Sequence, residues 1–169
     1  MGTWTNSDGL RVDFALTRVE KAQVGKVSTR GDVQEVRAIL EVAQMSLTGG
    51  VIGGRAAVAI PLGSQIIRAT LYVTETFSGA SGTLDLGLAN ADGTYTNLDE
   101  DGIDAAIAVA VLLQGTILAC DGALVGAGDD KDTLAISYPS YDIDTTDFTA
   151  GKAVLVIEYV PPLYPDQGA

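Results

Sequence analysis

The chain has 169 residues, 47% of them hydrophobic, and a formal net charge of -12. That is about one domain with enough apolar material for a core, so global disorder is excluded. A chain this acidic, with a pI near 4.1, is a poor ligand for nucleic acid or an anionic membrane. It has no His and one Cys, Cys120. Ser-His-Asp and Cys-His catalysis, His-ligated zinc and an intrachain disulfide are therefore excluded. The first residues, Met1-Gly2-Thr3-Trp4-Thr5-Asn6, have neither the basic start nor the apolar stretch of a signal peptide. The longest apolar run, 105–113, is far short of the ~20 residues that span a bilayer. A soluble chain is expected.

Charge is uneven along the sequence. Residues 1–55 carry seven basic and six acidic side chains, and residues 56–169 carry three and sixteen. The first segment can approach an acidic surface that would repel the rest. Within it, Trp4 stands in a polar stretch, and Leu10, Val12 and Phe14 alternate with Arg11 and Asp13. That is a short strand with one face to bury. Residues 17–32 are polar. A lone Trp would bury roughly 150–250 Å², so residues 1–35 read as an extended arm with a docking site outside its own domain.

From residue 36 onward strand signals dominate. Residues 36–43 alternate, 56–60 form a short strand stopped by Pro61, and 65–77 is the clearest strand of the chain. Residues 83–89, with Leu84, Leu86 and Leu88 on one face, return after the turn 78–82, and the two read as a hairpin. Asp99, Glu100 and Asp101 precede the Ala-rich run 105–113, which predicts a short helix from Ile103, with a strand as the competing reading; being apolar nearly all round, the run should be buried in the fold or in a subunit interface. Further strands are expected at 122–125, 133–138 and 152–160, with a strand edge at 141–145. The last strand is apolar on both faces, hence central in its sheet. The fold class is all-β: an antiparallel sandwich of jelly-roll type, with one short helix and the N-terminal arm. The expected organisation is an arm over 1–35, a sandwich over 36–163 and a tail over 164–169.

Chemistry is hard to find. Gly25-Lys26 has Glu20 five residues earlier and Val27 after the Lys, so it is no phosphate-binding loop. The Gly pairs 49–50 and 53–54 make no dinucleotide fingerprint, and Gly126-Ala127-Gly128 fails at Lys131. The acidic clusters Asp99, Glu100, Asp101, Asp104 and Asp129, Asp130, Asp132 match no calcium loop, because Asn97 stands where Gly is required after Asp92. They read as a capping turn and a solvated loop. Paired carboxylates could hydrolyse glycosides, but 6% aromatics and a single Trp give little to stack a sugar on. Cys120 adjoins Asp121, which disfavours its thiolate. No catalytic residue, cofactor or metal is expected.

The opening Met1-Gly2-Thr3-Trp4-Thr5-Asn6-Ser7-Asp8-Gly9-Leu10 resembles that of tailed-phage head decoration, or cement, proteins. Ile60-Pro61-Leu62-Gly63-Ser64 with the strand after it, Leu84-Asp85-Leu86-Gly87-Leu88, Asp92-Gly93-Thr94, Gly102-Ile103-Asp104-Ala105-Ala106-Ile107-Ala108, Gly122-Ala123-Leu124-Val125-Gly126 and residues 148–156 are similar too. The resemblance spans most of the chain in short motifs. It implies a non-enzymatic virion protein on the outer capsid surface, bound to the major capsid protein, commonly as a homotrimer, with neither nucleic acid nor membrane as partner. On this reading Trp4, Leu10, Arg11, Val12, Phe14 and Arg18 dock the shell, and Ile107, Val109, Val111 and Leu112 form the subunit interface. The alternative is a carbohydrate- or receptor-binding sandwich of a phage fibre, for which Tyr95, Tyr138, Tyr141 and Tyr164 are the aromatic candidates.

Overall fold

The computed structural model describes residues 2–5, 11–14, 33–46, 49–53, 57–79, 81–91, 97–126, 133, 135–144 and 148–162. The chain divides into two compact units, 1–30 and 31–169. In the first, β1 (Gly2–Thr5) pairs antiparallel with β2 (Arg11–Phe14), and Trp4 lies opposite Val12. The alternation at 10–14 marked β2. β1 has no alternation of its own and was not anticipated.

The second unit holds β3 (Gln34–Glu41), β4 (Gly50–Val51), β5 (Gln65–Gly79), β6 (Thr83–Asn90), β7 (Asn97–Ala108), β8 (Ile117–Cys120), β9 (Ser137–Asp144) and β10 (Phe148–Val160). They form two four-stranded sheets, ordered β3-β10-β5-β8 and β4-β9-β6-β7, with every pairing antiparallel. Successive strands cross from one sheet to the other, except β6 to β7. This is the strand order of an eight-stranded jelly roll, as the sequence led us to expect. β10 is central, and its inward residues Ala153, Leu155 and Ile157 are fully buried. They meet Leu84, Leu86, Leu88 and Ile103 of the other sheet in one core cluster. Phe77 and Phe148 add an edge-to-face contact, centroids 5.5 Å apart. The turn before β5 is held by Thr133, whose Oγ1 accepts from the Ser64 amide at 3.0 Å and donates to the Pro61 carbonyl at 2.7 Å.

Four expectations need correction. First, the helix from Ile103 does not form. Residues 103–108 are the end of β7, and only a 3-10 turn, Val109–Val111, follows. A helix apolar all round needs partners on every side, whereas here β6 supplies a ladder. The twelve residues of β7 lie against a shorter stretch of β6, Thr83–Ala89, so the register slips repeatedly. At one slip Ala106 takes φ 53, and its amide donates to the Asp85 carboxylate. Such bulges erase the period-two pattern by which a strand is recognised.

Second, β5 and β6 are not a hairpin. They belong to opposite sheets and meet face to face. Alternation shows which face is buried, not which strand lies alongside. Third, the strand expected at 133–138 and the edge expected at 141–145 are one strand, β9 over Ser137–Asp144, paired with β6 along its length and with β4 at Ser140 and Tyr141. Fourth, no strand forms at 122–125, and at 57–60 only Ile60 makes an isolated bridge, to Ser137.

Candidate interaction surfaces

Alternation along β3, over 152–160 of β10 and over 69–73 of β5 sends every second residue outward, and the register there aligns these residues in rows. One row runs across the whole sheet: Ile39 opposite Val154, Val154 opposite Tyr72, Tyr72 opposite Ile117. Ile39 is 54%, Tyr72 40% and Ile117 64% exposed. At about 4.8 Å per strand, four strands make an apolar row of about 14 Å. Beside it Val154 and Val156 floor a shallow groove walled by Glu35, Arg37, Tyr72 and Glu158.

The charges flanking this row are paired. Arg37 bonds Glu35, Arg68 bonds Glu158, and Lys152 Nζ lies 3.6 Å from Glu41 Oε2. Hydrogen bonding and attraction to the partner carboxylates hold both guanidinium groups above their ordinary pKa. Such exposed pairs add little to stability. Their effect is to bring the face close to neutrality: with Glu75, opposite Lys152 in the register, it carries three cations and four carboxylates.

The outer face of the other sheet differs in kind. Asp85 lies opposite Asp142 on it, whereas Asp104, opposite the inward Leu86, meets the buried Cys120 of β8. Burial, with Asp121 and Asp85 nearby, raises the pKa of Asp104. Burial and the Asp101 carboxyl raise that of Asp99. Among the described residues every ion pair lies on the first sheet's face, and none here. The backbone of β7 also crosses this face closely. A Cβ on Gly87 would sit 2.0 Å from the Asp99 carbonyl oxygen, and Ser140, opposite Gly87, is buried.

Burial and Asp104 push the Cys120 thiol up to about 12, so its nucleophilic form is suppressed. Among the described residues no group of three or more His, Cys, Asp or Glu is placed to hold a metal ion. The cluster Asp129, Asp130, Asp132 lies outside the described residues. No helix among the described residues is long and apolar enough to cross a membrane.

Of the residues expected to dock a shell, Trp4 is in β1 and Arg11, Val12 and Phe14 are in β2, while Leu10 and Arg18 lie outside the described residues. Of the expected subunit interface, Ile107 and Leu112 are buried in the protomer's own core, and Val109 packs half-buried against it. Ile107 and Leu112 thus leave no free surface for a second subunit, and Val109 leaves part of one. Val111 is 45% exposed, beside the exposed Leu113. Tyr141 is equally unavailable for stacking on a sugar: it is buried, and its hydroxyl accepts from the Ser46 amide at 2.6 Å. Tyr138 is half-buried, and Tyr95 and Tyr164 lie outside the described residues. The surface residues the sequence did not single out are Ile39, Tyr72 and Ile117. They are far apart in the chain, and only the strand register makes them neighbours. A separate apolar hollow of about 330 Å³ is lined by Ala59, Pro61, Leu62 and Ile136.

Among solved structures the chain is similar in fold to phage capsid chains. One belongs to the capsid of Ralstonia phage GP4: TM-score 0.52, 16% identity, covering 85% of this chain and 94% of that one. Another belongs to the capsid asymmetric unit of cyanophage Pam1: TM-score 0.51, 13% identity, covering 89% of this chain and 100% of that one. No protein-family model matches the chain, and no curated protein matches it. At this identity the likeness is one of fold: the jelly roll described above is shared with chains found in phage capsids.

Proposed function

We propose that this chain is a phage virion structural protein without catalytic activity. It binds the outer surface of a capsid through contacts with the major capsid protein and stabilises the shell as a homotrimer. One observation carries the reading. The fold matches span 94% and 100% of two phage capsid chains, so those chains are about the length of this one, and the likeness is to a whole small capsid component rather than to part of a large one. The acidic balance supports an outward position, away from packaged nucleic acid. The N-terminal residues supply the docking contacts in this reading, because a two-stranded sheet is marginal in water without something to pack against.

Purified shells lacking the protein test it. Added protein should bind them to saturation and raise the temperature at which they break open. Light scattering of the free protein should give about three times 17.4 kDa. Trp4→Ala should weaken shell binding by a hot-spot amount, on the order of 2 kcal/mol, and leave the melting of the free protein almost unchanged. Absence of binding to any shell stage would overturn the reading. Tight binding by a chain lacking residues 1–20 would move docking to the sandwich.

A further inference from the structure

We infer that the outer face of the β3-β10-β5-β8 sheet is the surface through which copies of this chain pack on one another. This rests on the proposed homo-oligomer and names its interface. The first observation is apolar. Ile39, Val154, Tyr72 and Ile117 form an unbroken row from one edge of the sheet to the other, and three of the four are at least 40% exposed. Single exposed apolar residues are ordinary, whereas a contiguous row beside a groove marks a contact surface.

The second observation is the edge. β8 reads Ile-Leu-Ala-Cys and is the last strand of its sheet. Sheet edges that face water are usually guarded by shortness, charge or Pro, and β8, four residues long, relies on the first alone. No strand among the described residues pairs with its other side.

Charge identifies the occupant. Two copies of a chain carrying -12 repel each other over most orientations. The other sheet presents Asp85 opposite Asp142, with no cation paired to either among the described residues. The first sheet's face carries three cations against four carboxylates. It offers both signs, Arg37 beside Glu35 and Arg68 beside Glu158, so a second copy finds complementary partners there rather than a field of like charge. A strongly basic partner would prefer the acidic sheet instead.

The test is the oligomeric mass of the full-length double variant Ile39→Lys/Tyr72→Lys, read by light scattering across a dilution series. Lysine is chosen because it lowers the net negative charge, so dissociation cannot be blamed on general repulsion. Both sites face outward, and circular dichroism should show an unchanged fold. The expected result is a weakening of self-association on the order of 100-fold, to monomer at micromolar concentration, while Leu62→Lys in the separate apolar hollow leaves the mass unchanged. A wild-type monomer, a double variant of wild-type mass, or equal dissociation by Leu62→Lys would each overturn the inference. A double variant that keeps its mass but loses shell binding would assign the face to the shell, overturning the inference while supporting the proposed function. Shell binding by a wild-type monomer would overturn the inference and the homotrimer together, and leave the shell-binding part of the proposed function standing.

Discussion

The two sheets of the sandwich share one core and differ on their outer faces. The middle of the first sheet, 69–73 of β5 against 153–157 of β10 and 36–40 of β3, keeps an unbroken register, so its outward side chains fall into rows, with ion pairs flanking an apolar strip, and its irregularities lie towards the strand ends. The second sheet is bulged along β7, its outer side carries Asp85 opposite Asp142, and the backbone at Asp99 and Glu100 lies against Gly87. Regular strands display a pattern that a partner surface can match. Bulged strands spend their outer face on their own chain. Contact chemistry is therefore concentrated on one side of the molecule, and repulsion on the other.

Three substitutions sharpen this contrast. Leu155→Ala, on the inward face of β10, should cost about 2–5 kcal/mol in denaturant unfolding, whereas Ile39→Ala, outward on the neighbouring strand, should stay within about 0.5 kcal/mol. Similar losses at both sites would mean that the outer face is covered within the protomer. Gly87→Ala should cost about 1–3 kcal/mol, because its Cβ would meet main-chain atoms of Asp99 and Glu100 that cannot turn aside as a side-chain tip can. A neutral result would show that β7 lifts easily from this face.

The smallest effect concerns pH. Asp99 and Asp104 have raised pKa values, so the folded state holds their protons more tightly than the unfolded chain. Their contribution to stability is fully present below the ordinary aspartate value of 3.8. It is lost as pH rises through the raised native values. Acidification from neutrality should therefore raise the melting temperature over this window. Asp104→Asn should raise it at pH 7 by about 1–2 °C and flatten the slope. A variant that melts lower at pH 7 and keeps the wild-type slope would show that the carboxylate is favourable where it stands.

Much of the sandwich was legible because its strands obey period two. β3, β5, β6 and β10 follow from alternation, and the central place of β10 follows from its apolar residues on both faces. β7 was not legible: Ile103 and Ile107 suit one face of a helix as well as one face of a strand, and the bulge at Ala106 is decided by the Asp85 carboxylate on another strand. β4 has two residues and β8 four, too few to show a period. The same limit hid the contact row. Ile39 and Val154 are adjacent through pairing alone, and pairing is a property of the closed sheet. Conversely, Ile107 and Leu112 were apolar enough for an interface but are needed inside.

The position of β10 bears on how the molecule is made. Its residues, 148–160, pair with 34–41 on one side and 65–79 on the other. The first sheet therefore has no centre until the ribosome has delivered them, and closing such distant pairings is slow. Val154 and Val156, which floor the outer groove, are among the last parts to arrive. Nascent chains crowded on one message thus lack the finished outer face, which exists only when the whole fold is complete.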